Sequence, residues 1–460
     1  MKKILLIFTA ALLSIGNVFA EQTWNGTSST AWTKGTGTAS DPYLIESPAH
    51  LKYLSTRVNA GNTYSGKYFK QTQDFNINSK TWTSIGTSTN KFAGIYDGGG
   101  KYISNFKSPI FGYVNNATIK NLTMQGTLIS IGSTSQQFGA LILDAAGTCS
   151  ITNCHYKGVA TRSQNYGYIS GFVYNVASGT LTMTRCSNTG TSPDAGFIFK
   201  CTTGAKCVLR ECYYKAGTVS YFGYPFIYGG TSSDSNVNGT VTIERCAFIM
   251  ETTNNNTYLL VNPSGGSRSS ISFKDCYFRI KGGSGSRNIQ ISEYGGYNHC
   301  YFVDNTAKVS NINFYAGGNN NFATTINKDC IGITKRTAVQ MKTKVFLEEL
   351  NQYSDYFTMD YEGINDGYPI LKWQAGTRYN VTATCDANRG SVSGGGEFPN
   401  GYVATLTATP KSGCTFIGWS DGNTDNPRSV TVNGEATYTA QFTKSSYTIY
   451  VNQDCTSNIE

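Results

Sequence analysis

The sequence has little charge and few of the side chains that most enzymes use for acid–base chemistry. Only 14% of its 460 residues are charged, three are histidine and ten are proline. No dense run of lysine and arginine with interleaved aromatics occurs, which argues against nucleic acid as a partner. No cysteine or histidine cluster has zinc-ligand spacing. We therefore predict no metal site, no cofactor and no histidine-based catalytic triad.

Long apolar runs are also missing beyond the start of the chain. Residues 1–20 carry two lysines, then an apolar run, and end in small and apolar residues at Ala20. This order is typical of a secretory signal peptide. No later stretch is long enough to cross a bilayer as a helix, so no transmembrane segment is predicted. We expect an exported protein, located at the cell surface or in the extracellular space.

A recurring cysteine frame dominates the middle of the chain. An apolar or aromatic residue stands three positions before each cysteine, and an aromatic stands two positions after it in five of six cases. The steps between successive cysteines are 32, 26, 34, 30 and 24 residues. A strand that recurs every roughly 20–50 residues with variable spacers is typical of a solenoid. The six segments are Ile151–Tyr156, Met183–Asn188, Leu209–Tyr214, Ile243–Phe248, Phe273–Phe278 and Tyr297–Phe302.

Each repeat also contains an earlier short strand, followed by a loop rich in Gly, Asn and Ser. Those strands are 92–95, 111–114, 138–141, 170–173, 195–198, 225–227 and 259–261. Apolar and polar residues alternate along the cysteine segments, which predicts short strands with one inward face. Stacked coils pair their backbones about 4.8 Å apart and share one core. The sequence therefore predicts an all-β fold, a right-handed parallel β-helix over 86–335.

Thirteen cysteines in an exported chain allow two interpretations. Exported proteins form disulfides, and cysteines at regular spacings can build a disulfide framework. Here the number is odd and the spacing irregular, and cysteine is also a small side chain that packs well in cores. We expect an interior ladder of reduced cysteines, with Cys149 and Cys207 in a neighbouring inward row. A bridged ladder is the alternative.

The segments on either side of the coils do not follow the repeat. Residues 21–85 hold a helix-like stretch, Ala49–Leu54, behind the start signal Ser47-Pro48. Residues 336–378 hold a second helix-like stretch at 345–350 and a strand-like one at 366–371. Because the open ends of a solenoid need shielding, we predict an N-terminal cap at 21–85 and a C-terminal cap at 336–378.

The pattern changes again at Tyr379. Strand-like runs separated by Gly and Asn turns predict a small β module over 379–444, within the size range of independently folding domains. The runs are 379–384, 403–408, 415–419, 429–432 and 436–442. In the tail, 445–460, Tyr447–Val451 is similar to the opening strand Tyr379–Ala383. The tail is therefore either an edge strand or a truncated repeat.

Several runs resemble known families. Those similar to bacterial surface β-helix proteins with GLUG-type repeats, common in Bacteroidetes, are Gly35–Ile45, Val58–Phe69, Tyr96–Asn105 and Asn365–Leu371. Residues 379–443 resemble the divergent internalin B-type repeat, on the runs Gly394–Gly396, Thr405–Pro410, Phe416–Gly422 and Asn426–Arg428. The cysteine strands depart from a plain GLUG pattern. These resemblances imply architecture and bring no catalytic residues with them.

Candidate catalytic groups are sparse. His155 and His299 flank ladder cysteines, so we expect them on the outer side of the coils, and His50 lies in the N-terminal cap. Parallel β-helices also include polysaccharide lyases and hydrolases, which need clustered carboxylates on one outer face. The carboxylates between 138 and 330 are scattered: Asp144, Asp194, Glu211, Asp234, Glu244, Glu251, Asp275, Glu293, Asp304 and Asp329.

Three of these carboxylates fall at related ladder positions on successive coils. Glu211, Glu244 and Asp275 stand one or two residues before a ladder cysteine, where basic residues also occur. The basic residues are Arg185, Arg210, Arg245 and Lys274. Opposite charges on adjacent coils favour a solvated salt-bridge ladder over a catalytic cluster. The alternating Asp421–Asp425 run resembles half of a calcium loop but lacks its glycine and distal glutamate, which favours a plain turn.

Three tyrosines follow ladder cysteines directly, where the alternation predicts outward side chains. Tyr213, Tyr277 and Tyr301 form the candidate binding face, because stacked exposed aromatics can bind sugar rings or a protein partner. They can equally be ordinary surface residues of a sheet.

The sequence thus favours an exported, non-enzymatic modular protein that adheres to or recognises a glycan or a host surface protein. The net charge of +9 adds a weak preference for an anionic polysaccharide. Two alternatives remain open. One is a polysaccharide lyase or glycoside hydrolase on the same fold, which would need clustered carboxylates. The other is a structural element of a surface layer, which would self-associate.

Overall fold

Two arrays of short parallel strands, connected by a sharp corner in every coil, make up most of the molecule. The computed structural model describes residues 21–131, 137–162, 168–191, 195–219, 239–252, 271–281, 288–292, 295–304, 311–315 and 333–445. The predicted signal peptide at 1–20, the predicted strands at 225–227 and 259–261, and tail residues 446–460 lie outside the described residues. Two compact units divide at Tyr356 and Phe357, within the segment 336–378 that the sequence predicts as one cap.

The first unit begins with strands that already belong to the β-helix. Helix α1 starts where the sequence predicts it: Ser47 caps it by accepting the His50 N–H at 3.3 Å, and Pro48 occupies the first turn. Strand β3 pairs in parallel with β5, so coil stacking runs into the predicted N-terminal cap. The elements are β1 Gln22–Thr23, β2 Tyr43–Ile45, α1 Pro48–Asn59, β3 Tyr68–Gln71, β4 Phe75–Asn76 and β5 Ile95–Ser104.

The coils continue with strands up to Arg336. In chain order they are β6 Phe111–Asn115, β7 Thr118–Ile131, β8 Gln137–Gly139, β9 Ile142–Ala146, β10 Thr148–Thr152, β11 His155–Arg162, β12 Tyr168–Ser170, β13 Val173–Val176, β14 Thr180–Thr184, β15 Ser187–Asn188, β16 Ile198–Cys201, β17 Lys206–Arg210, β18 Tyr213–Val219, β19 Thr240–Glu244, β20 Ala247–Thr252, β21 Ile271–Lys274, β22 Tyr277–Lys281, β23 Asn288–Ser292, β24 Gly295–Asn298, β25 Cys300–Asp304, β26 Asn311–Tyr315 and β27 Ile333–Arg336. A 3₁₀ turn at Gln340–Lys342 and helix α2, Lys344–Leu350, follow.

The strands stack in register, coil upon coil. Strands that precede the cysteine form one array, β10–β14–β17–β19–β21–β24, and strands that follow it form a second, β11–β15–β18–β20–β22–β25 in order of position. A separate parallel sheet, β6–β9–β13–β16, contains the predicted strand 111–114 as β6. Its other three strands begin at or just after the ends of the predicted strands 138–141, 170–173 and 195–198. Inward side chains from these sheets form one continuous apolar core. The prediction of an all-β fold built on a parallel β-helix is confirmed.

The ladder cysteines lie inside this core and are unbridged. Each is at most 1% exposed, and each thiol lies 3.2–3.5 Å from the carbonyl of the residue two positions before it. Burial raises the pKa of Cys154 to about 12. Cysteine suits this place because it combines a small apolar body with a weak donor for a corner carbonyl. The six are Cys154, Cys186, Cys212, Cys246, Cys276 and Cys300.

The corner itself is a single residue in the left-handed conformation, directly before each ladder position. Its φ lies between 52° and 55° at the seven corners that the structure describes, from Asn121 to His299. The corner residues are Asn121, Asn153, Arg185, Glu211, Arg245, Asp275 and His299. Leu122 therefore holds the ladder position of the first such coil, in the frame Ile119-x-x-Leu122-x-Met124, which a search for cysteine overlooks. One dihedral per coil thus turns the chain from the first array into the second.

Because each corner residue has a positive φ, replacing it with a residue that tolerates positive φ poorly should destabilise the first unit measurably. We expect Asn153→Ala to lower the free energy of unfolding of the first unit by about 1–2 kcal/mol relative to Asn153→Gly, because alanine resists positive φ and glycine does not. Both variants lose the hydrogen bond from Asn153 Nδ2 to Asn121 Oδ1 at 2.9 Å, so their difference isolates the backbone. Urea unfolding of the two full-length variants measures it; equal midpoints would contradict this reading of the corner.

The second unit is a small two-sheet β module behind a short hairpin. The five predicted strands are all present, and the structure adds two that the sequence did not predict, β31 and β32. One sheet has the order β32–β30–β36–β34 and the other β31–β33–β35, with Val381, Leu406 and Trp419 in the core between them. The strands are β28 Phe357–Thr358, β29 Ile370–Leu371, β30 Arg378–Cys385, β31 Gly390–Ser393, β32 Gly396–Pro399, β33 Val403–Pro410, β34 Cys414–Trp419, β35 Arg428–Thr431 and β36 Ala436–Lys444.

Candidate functional site

The three predicted surface tyrosines are buried. Tyr213 is 2% exposed, Tyr277 0% and Tyr301 6%. The register places Tyr277 beside Tyr301 on adjacent coils, and Ala247 stands between Tyr213 and Tyr277. They do form a row, but the prediction that this row is an exposed face is wrong. These rings are not a free platform for a ligand.

Helix α2 and the residues after it, at the end of the first unit, cover one end of this row of tyrosines. Phe346 of α2 packs its ring edge-on against Tyr301, with centroids 5.0 Å apart, and the Tyr301 hydroxyl lies 3.4 Å from the Glu349 carbonyl oxygen. Farther along the same side, the Arg245 guanidinium lies 4.3 Å from the centre of the Tyr356 ring. A sequence signal was available, because Phe346 and Leu350 give the predicted helix an apolar face that must pack on something.

The corner residues form a second ladder of paired polar groups. Arg185 Nε lies 2.9 Å from Glu211 Oε2, and in the neighbouring row Arg210 Nε lies 3.0 Å from Glu244 Oε2. The predicted salt-bridge ladder is therefore confirmed as a set of ion pairs between coils. It is less solvated than predicted, since Glu211 is 8% exposed and Asp275 only 1%.

At the covered end, the ladder becomes a hydrogen-bonded chain of three side chains. His299 Nδ1 lies 2.8 Å from Asp275 Oδ1, and His299 Nε2 lies 2.9 Å from the Tyr301 hydroxyl. The order carboxyl, imidazole, hydroxyl resembles a catalytic triad in its connectivity. However, burial raises the pKa of Tyr301 to about 12, so its hydroxyl stays protonated and is a poor nucleophile. These hydrogen bonds instead hold the Tyr301 side chain in place beneath α2.

The other two histidines also have structural roles. His155 is half-buried at the outer side of its coil, and its Nδ1 lies 2.8 Å from Ser187 Oγ. Burial, together with nearby Lys157, lowers the pKa of His155 to about 4, so it is neutral at physiological pH. His50 accepts the Glu46 N–H at its Nδ1, 3.2 Å away, next to the start of α1.

Two further carboxylates whose side chains the structure describes are engaged, Asp144 on the coils and Asp421 in the second unit. Asp144 Oδ2 accepts from Asn175 Nδ2 at 2.9 Å, and burial raises the pKa of Asp144. In the second unit, Arg428 binds both oxygens of Asp421, at 2.7 and 2.9 Å, and holds the Asp421 pKa below its usual value. The Asp421–Asp425 run is a turn, as predicted. Among the residues the structure describes, no three potential metal ligands come together.

The outer face of the first array carries a regular row of accessible side chains. Its central row contains hydroxyl side chains on four of five successive strands, one above another in register. This hydroxyl row is Ser150, Thr182, Val208, Thr242 and Ser272. All five are partly or fully exposed, and the exposed ammonium groups of Lys206 and Lys274 flank the row. The face can therefore donate and accept hydrogen bonds at the repeat of a parallel sheet, about 4.8 Å.

Comparisons with known proteins identify one part of the chain. Residues 379–446 match the family model described as Divergent InlB B-repeat domain, which confirms the predicted resemblance of 379–443. The chain is thus modular, with a β-helix unit followed by a unit that carries this domain. The GLUG-type resemblance and the bacterial group stay predictions. Within the described residues, no helix has the length and apolar character to span a membrane.

Further similarities are more distant. A candidate Gly-rich membrane protein of Evansella cellulosilytica is 28% identical over 128 residues, which cover 25% of this chain but only 14% of that protein. The structure of a candidate immunoglobulin A1 protease of Bacteroides ovatus has 16% identity and a TM-score of 0.41, covering 74% of this chain and 95% of that one. A structure described as IgA1 protease has 13% identity and a TM-score of 0.38, covering 64% and 23%.

Proposed function

We propose that this chain is an exported surface protein, without enzymatic activity, whose β-helix binds an extended polysaccharide across the hydroxyl row. The observation that carries the proposal is the in-register stacking of Ser150, Thr182, Thr242 and Ser272 on one outer face. A linear polymer presents hydroxyl groups at regular intervals and can exchange hydrogen bonds with such a row at several coils at once. The second unit would act as a spacer or attachment module.

Charge favours an anionic polymer over a neutral one. The chain carries a net charge of +9, and Lys206 and Lys274 stand exposed beside the hydroxyl row. Acidic side chains nearby are already paired: Glu244 binds Arg210, and Glu211 binds Arg185. The uncompensated charge on this face is therefore positive, which attracts carboxylated or sulfated sugars.

The enzymatic alternative has weaker support. A lyase or hydrolase needs carboxylates that are free to bind a cation or to transfer a proton on one outer face. On the described coils, Asp144, Glu211, Glu244 and Asp275 each have a side-chain partner within about 3 Å. Those contacts hold the carboxylates in structural pairs.

The test is retention of the full mature chain on immobilised anionic and neutral polysaccharides, mucins and matrix proteins, with release of sugar fragments recorded in parallel. We expect retention on an anionic polysaccharide, and a loss of affinity of about tenfold or more in the variant Ser150→Ala/Thr182→Ala/Thr242→Ala, because three hydrogen-bonding hydroxyls are removed. The matched control is Thr405→Ala/Thr431→Ala/Thr437→Ala, which removes three exposed strand threonines from the second unit.

The outcomes separate the alternatives. Equal retention of both triple variants would rule out the hydroxyl row as the binding surface. Retention on matrix proteins alone would identify a protein partner in place of a glycan. Release of fragments that stops in Glu244→Gln would show an enzyme.

A further inference from the structure

One cysteine pair differs from the ladder. Cys201 is the last residue of β16 and Cys207 the second residue of β17, so the two belong to different sheets and are joined by the short loop 202–205. Their sulfur atoms lie 3.0 Å apart. Each ladder thiol lies close to a backbone carbonyl, as Cys212 does 3.3 Å from the Arg210 oxygen, and its thiol neighbours belong to adjacent coils.

The backbone around this pair is held on both sides. The Thr202 N–H donates to the Val176 carbonyl at 3.0 Å, and the Lys206 N–H donates to the Gly179 carbonyl at 2.8 Å. Cys201 is 1% exposed and Cys207 0%. A disulfide has a sulfur–sulfur distance of about 2.05 Å, so the two sulfur atoms need to approach by only about 1 Å to form one. The fold therefore presents these two sulfurs to each other in a preformed place.

We propose that Cys201 and Cys207 form an intramolecular disulfide when the chain folds in an oxidising compartment, whereas the six ladder cysteines stay reduced. In this step the two S–H bonds are lost and one S–S bond forms. The two electrons and two protons pass to a disulfide oxidant, a small molecule or an exchange protein, which leaves as two thiols. Burial raises the pKa of Cys207, and a buried thiol reacts slowly, so we place the exchange after β16 and β17 have stacked on the preceding coil and before the following coil covers the pair.

Trypsin gives a direct test, because it separates the two cysteines. It cleaves after Lys200, Lys206 and Arg210, so that Cys201–Lys206 and Cys207–Arg210 are different peptides. The full mature chain is refolded with oxidised and reduced glutathione, alkylated in denaturant without reductant, digested and analysed by mass spectrometry. We expect the two peptides joined, and the peptide Glu211–Lys215, which contains Cys212, recovered in alkylated form.

Controls make the result decisive. The variant Cys201→Ser should yield an alkylated Cys207–Arg210 peptide, and reduction before alkylation should separate the pair in the wild type. Recovery of both peptides singly alkylated from the oxidised wild type would overturn the proposal, as would either peptide joined to a ladder cysteine. If a variant fails to fold, the wild-type peptide map alone still decides, because it needs no substitution.

Discussion

Replacing Trp419 by alanine is expected to unfold the second unit and to leave the β-helix unit folded. The side chain is 1% exposed in the module core, 5.7 Å from the Phe416 ring, and its Nε1–H donates to the Asp425 carbonyl at 3.0 Å. Removing a buried tryptophan costs about 3–5 kcal/mol, and small domains have total stabilities near the low end of about 5–15 kcal/mol. The first unit has its own core and does not depend on this side chain.

Limited proteolysis of the full chain followed by mass spectrometry measures this effect. In Trp419→Ala, cleavage should spread through 378–445 while a fragment ending near residue 356 survives. Trp419→Phe serves as the control, because it keeps an aromatic ring in the core and loses only the indole hydrogen bond. Protection of the second unit in Trp419→Ala equal to wild type would show that the module core tolerates the cavity.

The sequence predicts the repeat better than it predicts what lies over the repeat. Alternation and cysteine spacing are local patterns, so the strands around Cys154 and Cys186 are found from them. Strands β31 and β32 escape prediction because each begins with a glycine and the two are separated only by Gly394 and Gly395, so the stretch reads as a glycine-rich loop. Leu122 escapes prediction because the pattern is defined by cysteine alone, although any side chain that fits the ladder position can occupy it.

The tyrosine face shows the corresponding limit for a site. Alternation correctly predicts which side of a strand Tyr301 faces, because that is set by the pleat. It says nothing of whether a segment some 45 residues later, carrying Phe346, folds back over that side. In a solenoid with capping segments, a side chain that points outward from the coils can still be buried beneath such a segment. A ligand is therefore expected on a face such as that of Thr182, where the side chains are accessible.

Replacing Asp275 by alanine is expected to loosen α2 from the coils and to destabilise the first unit by about 3 kcal/mol. Two causes add: the His299 imidazole, only 9% exposed, loses its partner, which costs about 1–3 kcal/mol, and alanine at a φ of 53° costs about 1–2 kcal/mol. The loss spreads to α2 because His299 holds the Tyr301 hydroxyl, and Tyr301 packs on Phe346.

Hydrogen exchange of the full chain separates this mechanism from general destabilisation. In Asp275→Ala, amides of α2 should lose protection more than those of α1, which lies at the opposite end of the coil sequence. Asp275→Asn is the matched control, since asparagine tolerates positive φ and keeps an oxygen that can accept the His299 Nδ1–H. Most of the protection should return in that variant. Exchange of α2 at the wild-type rate in Asp275→Ala would contradict this mechanism. Packing of Phe346 on Tyr301 would then hold the helix alone, and the hydrogen bonds among Asp275, His299 and Tyr301 would stabilise only the corner.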